Sequence, residues 1–429
     1  MSLGTRDLQA TVADPNNHLW RSVAPIGDNR FDMRNPNSPQ PLATLPHNPL
    51  SRRSFVAGVA AFSIAAAAQP ANPDSRRILV GSDTNDGILS FAWDPATGKI
   101  VPEGIAAKVS QSTWIQLSPD RYYLYVACEL EEFEGKPTGA VASYAVTNGK
   151  LTPISAVSST GKGTCHLTTD HTGRVVICAN YTGGSSAAFV ANNGKLTAPA
   201  WSEHYKGYPD HGPVADRQEA AHAHFASLSP DNRFVYINDL GADKIHIYKL
   251  DASTGVLTPA GTYEAQPGDG PRTLHFHPGR QVAYCVNELN STVQVLTWNA
   301  ADGSLHPLQR VSLLPNTPPP AGVTNTGCDT VLTRDGRFAY FANRGEDFIM
   351  SFHIEPATGT LKPFAGDPRI PSGGKTPRNF VLDPSERWML VANQKSGNLS
   401  VFARNPKTGE LSREGKNYPA ATPMCIVFV

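Results

Sequence analysis

The chain has 429 residues and carries 37 basic against 37 acidic side chains, so no global charge draws it to nucleic acid or to an anionic membrane. Its six cysteines (Cys128, Cys165, Cys178, Cys285, Cys328 and Cys425) show no CxxC and no zinc spacing, and nothing in their placement pairs any two of them. With 36 glycines and 36 prolines set between short runs rich in Val, Ile, Tyr and Phe, the composition is that of an all-β chain with many hairpins.

Residues 1–50 are rich in Pro and Asn, lack hydrophobic periodicity and are predicted to form a disordered extension. Residues 51–71 read as an export signal of the twin-arginine type. Ser51-Arg52-Arg53-Ser54-Phe55-Val56 precedes an uncharged Ala-rich run, and Ala66-Ala67-Ala68 offers a cleavage site. That run is too short for a firm membrane span. A mature protein starting near Gln69, with no stable membrane insertion after cleavage, is therefore expected in the periplasm or outside the cell. If the segment is not a signal, the protein is cytoplasmic. A start at Met33 would leave a leader of more ordinary length.

From Ile78 onward one phrase returns. It runs apolar strand, Ser-Pro-Asp-like turn, apolar strand ending near Asn, second hairpin, and a Thr-Gly-Lys-Leu-like closure. The clearest copies are HFASLSPDNRFVYINDLGADKIHIYKLDASTGVL from His224 and TLHFHPGRQVAYCVNELNSTVQVLTWNAADGSL from Thr273. Two more begin at Asp329 and Asn379, weaker ones at Trp114 and His166, and a truncated one at Ile78. A period near ~50 residues with four short strands per unit predicts a seven-bladed β-propeller over residues 78–429. The terminal phrase from Thr422 to Phe428 matches the start of a unit, while the copy at Ile78 lacks its first strand. Residues 425–429 are thus expected to close blade one as its inner strand, removing two exposed edges.

Alignment on the turn sorts the remaining residues into rings. Six positions before the turn proline stand Thr113, Cys165, His224, Arg272, Cys328 and Arg378, with Met424 in the closing strand. Just after the second strand, at the same rim, stand Asp83, Glu129, Tyr181, Asp239, Glu288, Arg344 and Gln394. Asn180, Asn238, Asn287, Asn343 and Asn393 precede five of these. An Asn there suits the turn between blades, and Asn180 and Asn287 are also carried as substrate-binding candidates. The charged members differ from blade to blade, so a shared folding role does not account for them. His224, Arg272, Glu288, Arg344 and Arg378 are expected to face one channel mouth, as a site or as a salt-bridge ring around a solvated pore.

At this point the sequence resembles the lactonase family of seven-bladed propellers, which includes 6-phosphogluconolactonases and carboxy-cis,cis-muconate cyclases. The stretches that carry the resemblance are CHLTTDHTGRVVICANYTGGS, RQEAAHAHFASLSPDNRFVYINDLG, GPRTLHFHPGRQVAYCVNELNSTV and ANRGEDFIMSFHI. It implies functional roles for His224, Arg272, Glu288 and Arg344, the same residues the rings bring forward. It departs at Gly163-Thr164-Cys165-His166, where a proline commonly precedes the Cys, and in the idiosyncratic segment from Trp201 to Asp216.

Opening a lactone needs an activated water, a stabilised oxyanion and an anchor for the rest of the substrate. His224 titrates in the right range to activate water, and Glu288 could be the base instead or orient His224. Arg272 is expected to stabilise the oxyanion, and Arg344 and Arg378 to grip a phosphate or carboxylate. Asp239 is a candidate hydroxyl acceptor, and Arg217, with Gln218 and His222, a candidate rim residue. Two His-x-His pairs, His222/His224 and His275/His277, raise the idea of a metal, but no carboxylate partner is fixed and none is expected. No G-x-S-x-G elbow and no phosphate-binding Gly-rich loop is present, so neither serine-hydrolase chemistry nor a nucleotide cofactor is expected. The resemblance implies a cofactor-independent lactonase acting on a small anionic sugar or aldonic lactone, and a monomer is expected. A carboxymuconate-type cycloisomerase and a non-catalytic binding propeller are the alternatives. Export sits against a strictly phosphorylated substrate, because phosphorylated sugar intermediates are cytoplasmic.

Overall fold

The recurrent turn reverses the chain between the first and second strands of each unit, and its own side chains close it. Ser229 Oγ accepts the N–H of Phe234 at 2.9 Å and donates to Asp231 Oδ1 at 2.6 Å. The structure, a computed structural model, describes residues 76–314 and 319–429. The extension 1–50 and the signal segment 51–71 lie outside the described residues.

Among the described residues every regular element is a strand, and the strands form seven antiparallel sheets, the blades of a propeller. The innermost strands, in blade order, are Pro423–Phe428, Ser112–Leu117, Thr164–Thr169, Ala223–Leu228, Pro271–Phe276, Thr326–Leu332 and Pro377–Leu382. Each touches the next around a closed ring. Blade one is completed from the other end of the chain. Pro423–Phe428 pairs antiparallel with Arg77–Ser82, placing Ile78 opposite Phe428 and Gly81 opposite Cys425. The expected closing strand is therefore present, starting at Pro423 rather than Cys425.

Side chains alternate between the two faces of a strand, so every blade packs on both neighbours. In blade one, Ile78 and Val80 join Leu390 and Val401 of blade seven, while Leu79 and Ile88 join Ile115 and Val126 of blade two. Seven such clusters, one per blade interface, make up the core. Burying one Val, Leu or Ile contributes roughly 1.5–3 kcal/mol, so the ring is held by many equal contacts and not by a central core. Buried tyrosines tie consecutive blades. Tyr236, Tyr284 and Tyr340 donate to the carbonyls of Gly303, Gly359 and Gly409 at 2.8, 2.8 and 2.6 Å. Gly409 sits at φ +79°, and a Cβ there would lie 2.4 Å from the Phe338 ring, so this Thr-Gly closure admits no larger residue.

One feature of the backbone aims the site. In every blade the pairing of the first two strands shifts by one residue, a β-bulge, near the channel mouth. In six blades the residue left without a partner is Thr113, Cys165, His224, Arg272, Arg378 or Met424, and in blade six Cys328 and Asp329 share the irregularity. The first ring read from the sequence is thus the set of bulged residues, whose side chains the bulge re-aims. Gln111, Gly163, Gly270, Thr376 and Thr422 stand two positions earlier with positive φ, and turn the chain into five of these bulges. For the β-branched threonines this conformation is strained. The Thr376 N–H is held by Asp347 Oδ1 at 2.8 Å.

Candidate active site

The bulged ring and the rim behind it enclose a cavity of about 750 Å³. His224, Glu288, Arg344, Arg378 and Arg217 of the expected set all line it. Five cations and three anions face this space, so a chain without net charge gathers positive charge at one mouth. Deeper on the axis lies a space of about 20 Å³ walled by residues of all seven first strands. Arg272 belongs to this lower wall, whereas His224, Cys165 and Arg378 face both spaces.

Glu288 is the hub of the cluster. Its backbone is fixed between blades five and six, with its N–H donated to the Gly270 carbonyl (2.8 Å) and its carbonyl accepting the N–H of Gly327 (3.0 Å). Its buried side chain meets three guanidinium groups. Arg217 Nη2 lies 2.6 Å from Oε1, and Arg344 Nη2 and Arg272 Nη1 lie 2.9 and 3.4 Å from Oε2. Burial by itself raises the carboxyl pKa. Arg344, Arg272 and Arg217 outweigh it and hold the group well below the ordinary carboxylate range. Glu288 is held as the anion, and each of its oxygens meets an arginine.

His224 is 7% exposed and hydrogen-bonds through Nε2 to Nη1 of Arg272, whose Nη1 also lies 3.2 Å from Nδ1. Since a guanidinium only donates, the imidazole accepts and is neutral. Burial and then Arg272 push its pKa well below 6.5, against the pull of Glu288, and Arg378 and Arg344 add to the lowering. The ring edge also meets Tyr181, with centroids 5.5 Å apart at 82°. Arg378 faces the cavity from blade seven and, among the described residues, has no carboxylate within ion-pair distance. It is the arginine of the mouth left free to meet an anion.

Several expected residues lie elsewhere or act differently. Arg272 does not face the mouth: it lies beneath His224 and divides its Nη1 between His224 and Glu288. Arg344 lines the cavity and meets Glu288 through Nη2, which commits part of its guanidinium to the cluster. Asp239 is fully buried, because its carboxylate accepts the N–H groups of His222 (2.8 Å) and Ala242 (3.1 Å) and meets His246 Nε2 at 3.4 Å. Asn180 and Asn287 do not reach the cavity either. Asn180 donates to the Ser159 carbonyl and Ser185 Oγ, both at 3.0 Å. Asn287 donates to Asp269 Oδ2 (3.2 Å) and Thr292 Oγ1 (3.0 Å). Each ties the connection entering its blade to the start of that blade's third strand.

Three of the four imidazoles in the His-x-His pairs are hydrogen-bonded, and the fourth, His275, lies with Nε2 3.5 Å from Asp329 Oδ1. His222 faces the Tyr181 carbonyl and Glu219, each at 3.0 Å, and His277 bonds the Gly336 carbonyl at 3.1 Å in a turn. The segment from Trp201 to Asp216 packs down through Tyr208, whose hydroxyl donates to Asp243 Oδ2 at 2.8 Å, and so carries Arg217 to Glu288. Tyr181 and Glu129, named only as ring members in the sequence, line the cavity, as do Lys375, Asp347 and Lys395. The last three sit in connections between strands, outside the aligned turn. Lys375 lies three positions before the ring residue Arg378, which is the one signal that could have found it.

Residues 77–428 match the family model described as lactonase, 7-bladed beta-propeller. The chain is 33% identical over 348 residues to a 6-phosphogluconolactonase of Bacillus subtilis strain 168, a match covering 80% of this chain and 95% of that protein. It is 30% identical over 348 residues to a 6-phosphogluconolactonase of Formosa agariphila, covering 78% and 94%. Among solved structures, the periplasmic gluconolactonase of Pseudomonas aeruginosa matches with a TM-score of 0.73 at 30% identity, covering 82% of this chain and 98% of that one.

Proposed function

The chain belongs to the lactonase family of seven-bladed β-propellers, and from that premise we propose that its mouth cavity hydrolyses an anionic sugar or aldonic lactone. The observation that carries this reading is a neutral imidazole, His224, sharing one cavity with an unpaired cation, Arg378. His224 takes a proton from a water as that water adds to the lactone carbonyl. It returns the proton to the ring oxygen when the C–O bond breaks. For this the Arg272 guanidinium must lean from His224 toward Glu288, 3.4 Å away, which frees a ring nitrogen for the water. Glu288, too weak a base to hold a proton, balances the arginines and sets their positions. Arg378 receives the anionic group of the substrate.

A panel of lactones offered to the purified protein tests this. Removing Arg378 as Ala is expected to raise KM for an anionic lactone about 10- to 100-fold, the worth of one charge-assisted hydrogen bond, and to leave a neutral gluconolactone nearly unaffected. Equal effects on both substrates would remove Arg378 from the site. Muconate–muconolactone interconversion without water addition would replace hydrolysis by cycloisomerisation.

We also propose that residues 51–71 export the folded protein, supported by the twin arginines and the Ala-rich run after them. Changing Arg52 and Arg53 to lysine should hold the protein in the cytoplasm. N-terminal sequencing of exported protein should begin near Gln69, and full-length protein confined to the cytoplasm of the wild-type cell would refute export.

A further inference from the structure

If the cavity opens lactones, as proposed above, something in it must receive the oxyanion, and the arginine expected to do so is turned away. Arg272 lies in the lower wall and its Nη1 is shared by His224 and Glu288. Arg344 Nη2 is held by Glu288 at 2.9 Å and lies 3.4 Å from the Gly327 carbonyl. Arg217 Nη2 is held by Glu288 at 2.6 Å.

Tyr181 differs from all three. Its hydroxyl accepts a hydrogen bond from Arg217 Nη2 at 3.1 Å. A guanidinium has no lone pair to give back, so this bond leaves the phenolic hydrogen unused. No acceptor among the described residues takes it, and the residue lines the mouth cavity. The ring is also fixed in place. His222 stacks on it at 4.4 Å and 9°, and His222 Nδ1–H donates to the Tyr181 carbonyl at 3.0 Å. The ring also meets His224 in a T-shaped contact. Tyr181 stands in blade three and His224 in blade four, so base and hydroxyl flank one volume.

We propose that Tyr181 is a catalytic residue whose hydroxyl donates to the oxyanion formed when water adds to the lactone carbonyl. Arg217 holds the hydroxyl and polarises it, and the stacked His222 fixes its direction. Burial raises the phenol pKa, with Arg217 working against it, so the group remains a donor throughout the working range. The atoms balance without transfer from Tyr181. The water oxygen joins the carbonyl carbon, one water proton passes to His224, and the carbonyl oxygen carries the negative charge against the tyrosine hydroxyl. Collapse of that oxyanion breaks the ring C–O bond, the departing alkoxide takes the proton from His224, and the new carboxylic acid ionises. Donors preset for such an oxygen act in the transition state far more than in the ground state.

The test is Tyr181→Phe in the full chain with glucono-δ-lactone as substrate, corrected for spontaneous opening. Removing one oxyanion donor should lower kcat about 100-fold and leave KM and the melting temperature near wild type. The same substitution made in an Arg217→Ala background should again lower kcat. An unchanged kcat for Tyr181→Phe would overturn the proposal. So would a Tyr181→Phe loss that appears as a raised KM or a lowered melting temperature at wild-type kcat, because Tyr181 would then serve only to hold Arg217 and the cluster. A wild-type protein that opens no lactone at all would sink the hydrolytic reading itself, an outcome distinct from either of these.

Discussion

Glutamine at position 288 is expected to cost the protein stability and activity together. Glu288→Gln keeps the shape of the side chain and removes the one charge on which Arg217, Arg272 and Arg344 converge. Breaking a buried ion cluster from one side typically costs about 3–5 kcal/mol, because the remaining charges stay desolvated. A fall of several degrees in Tm should therefore accompany a loss of turnover of at least about 100-fold, as the arginines and His224 lose their arrangement. The pH dependence carries a second signature. The folded-state pKa of Glu288 lies well below its ordinary value of 4.5, so its stabilisation is fully present above that value and is lost as pH falls toward the folded pKa. Acid titration of Tm should show this slope in the wild type and less of it in Glu288→Gln. If activity vanished while Tm and its acid slope stayed as they were, Glu288 would be the base and not the organiser.

The other large effect belongs to His224. His224→Ala should lower kcat by about 10²- to 10⁴-fold, the usual worth of a positioned general base. Its lowered pKa sets the sign of the pH profile. Only the free base can accept the proton of water, and burial with Arg272 places its titration below 6.5. Activity above the spontaneous rate should therefore be flat through neutrality and fall on the acid side, with a midpoint below 6.5. Stability follows the same sign: unfolded His224 takes up a proton from about 6.5 downward while folded His224 resists, so its contribution to stability shrinks as pH falls between those two values. A midpoint at or above 6.5, or an acid limb that survives in His224→Ala, would assign the titration to another group.

Much of this was readable before any coordinates because the chain repeats itself. The turn around Ser229 recurs with the same spacing, so one alignment placed His224, Arg272, Glu288, Arg344 and Arg378 at one end of the channel. Strand count and closure followed from the same phrase. Depth did not. The bulge that re-aims His224 also re-aims Arg272, yet one faces the mouth and the other the space beneath it, a difference of tilt that no linear pattern encodes. Asp239 shares its aligned position with Glu288, but a neighbouring backbone captures it through the His222 N–H. Asn180 and Asn287 show the converse: the structural use of Asn that favours turns also absorbs both side chains. Lys375 and Lys395 escaped because they stand in connections whose length varies from unit to unit, where alignment on a turn has no hold.

The seven bulges also bear on how such a protein can change its chemistry over evolutionary time. In six blades the bulge excuses one side chain from the ladder while the packing between blades rests on other residues; in blade six Cys328 joins that packing and Asp329 lines the axial space. Thr113 and Met424 occupy two of these positions with uncharged groups that line the space beneath the mouth. A charge exchanged at such a point alters what the channel can hold without disturbing the contacts that keep the ring closed. Invention and endurance are thus assigned to different atoms, and a reader of relatives should look for new substrates first in those seven letters.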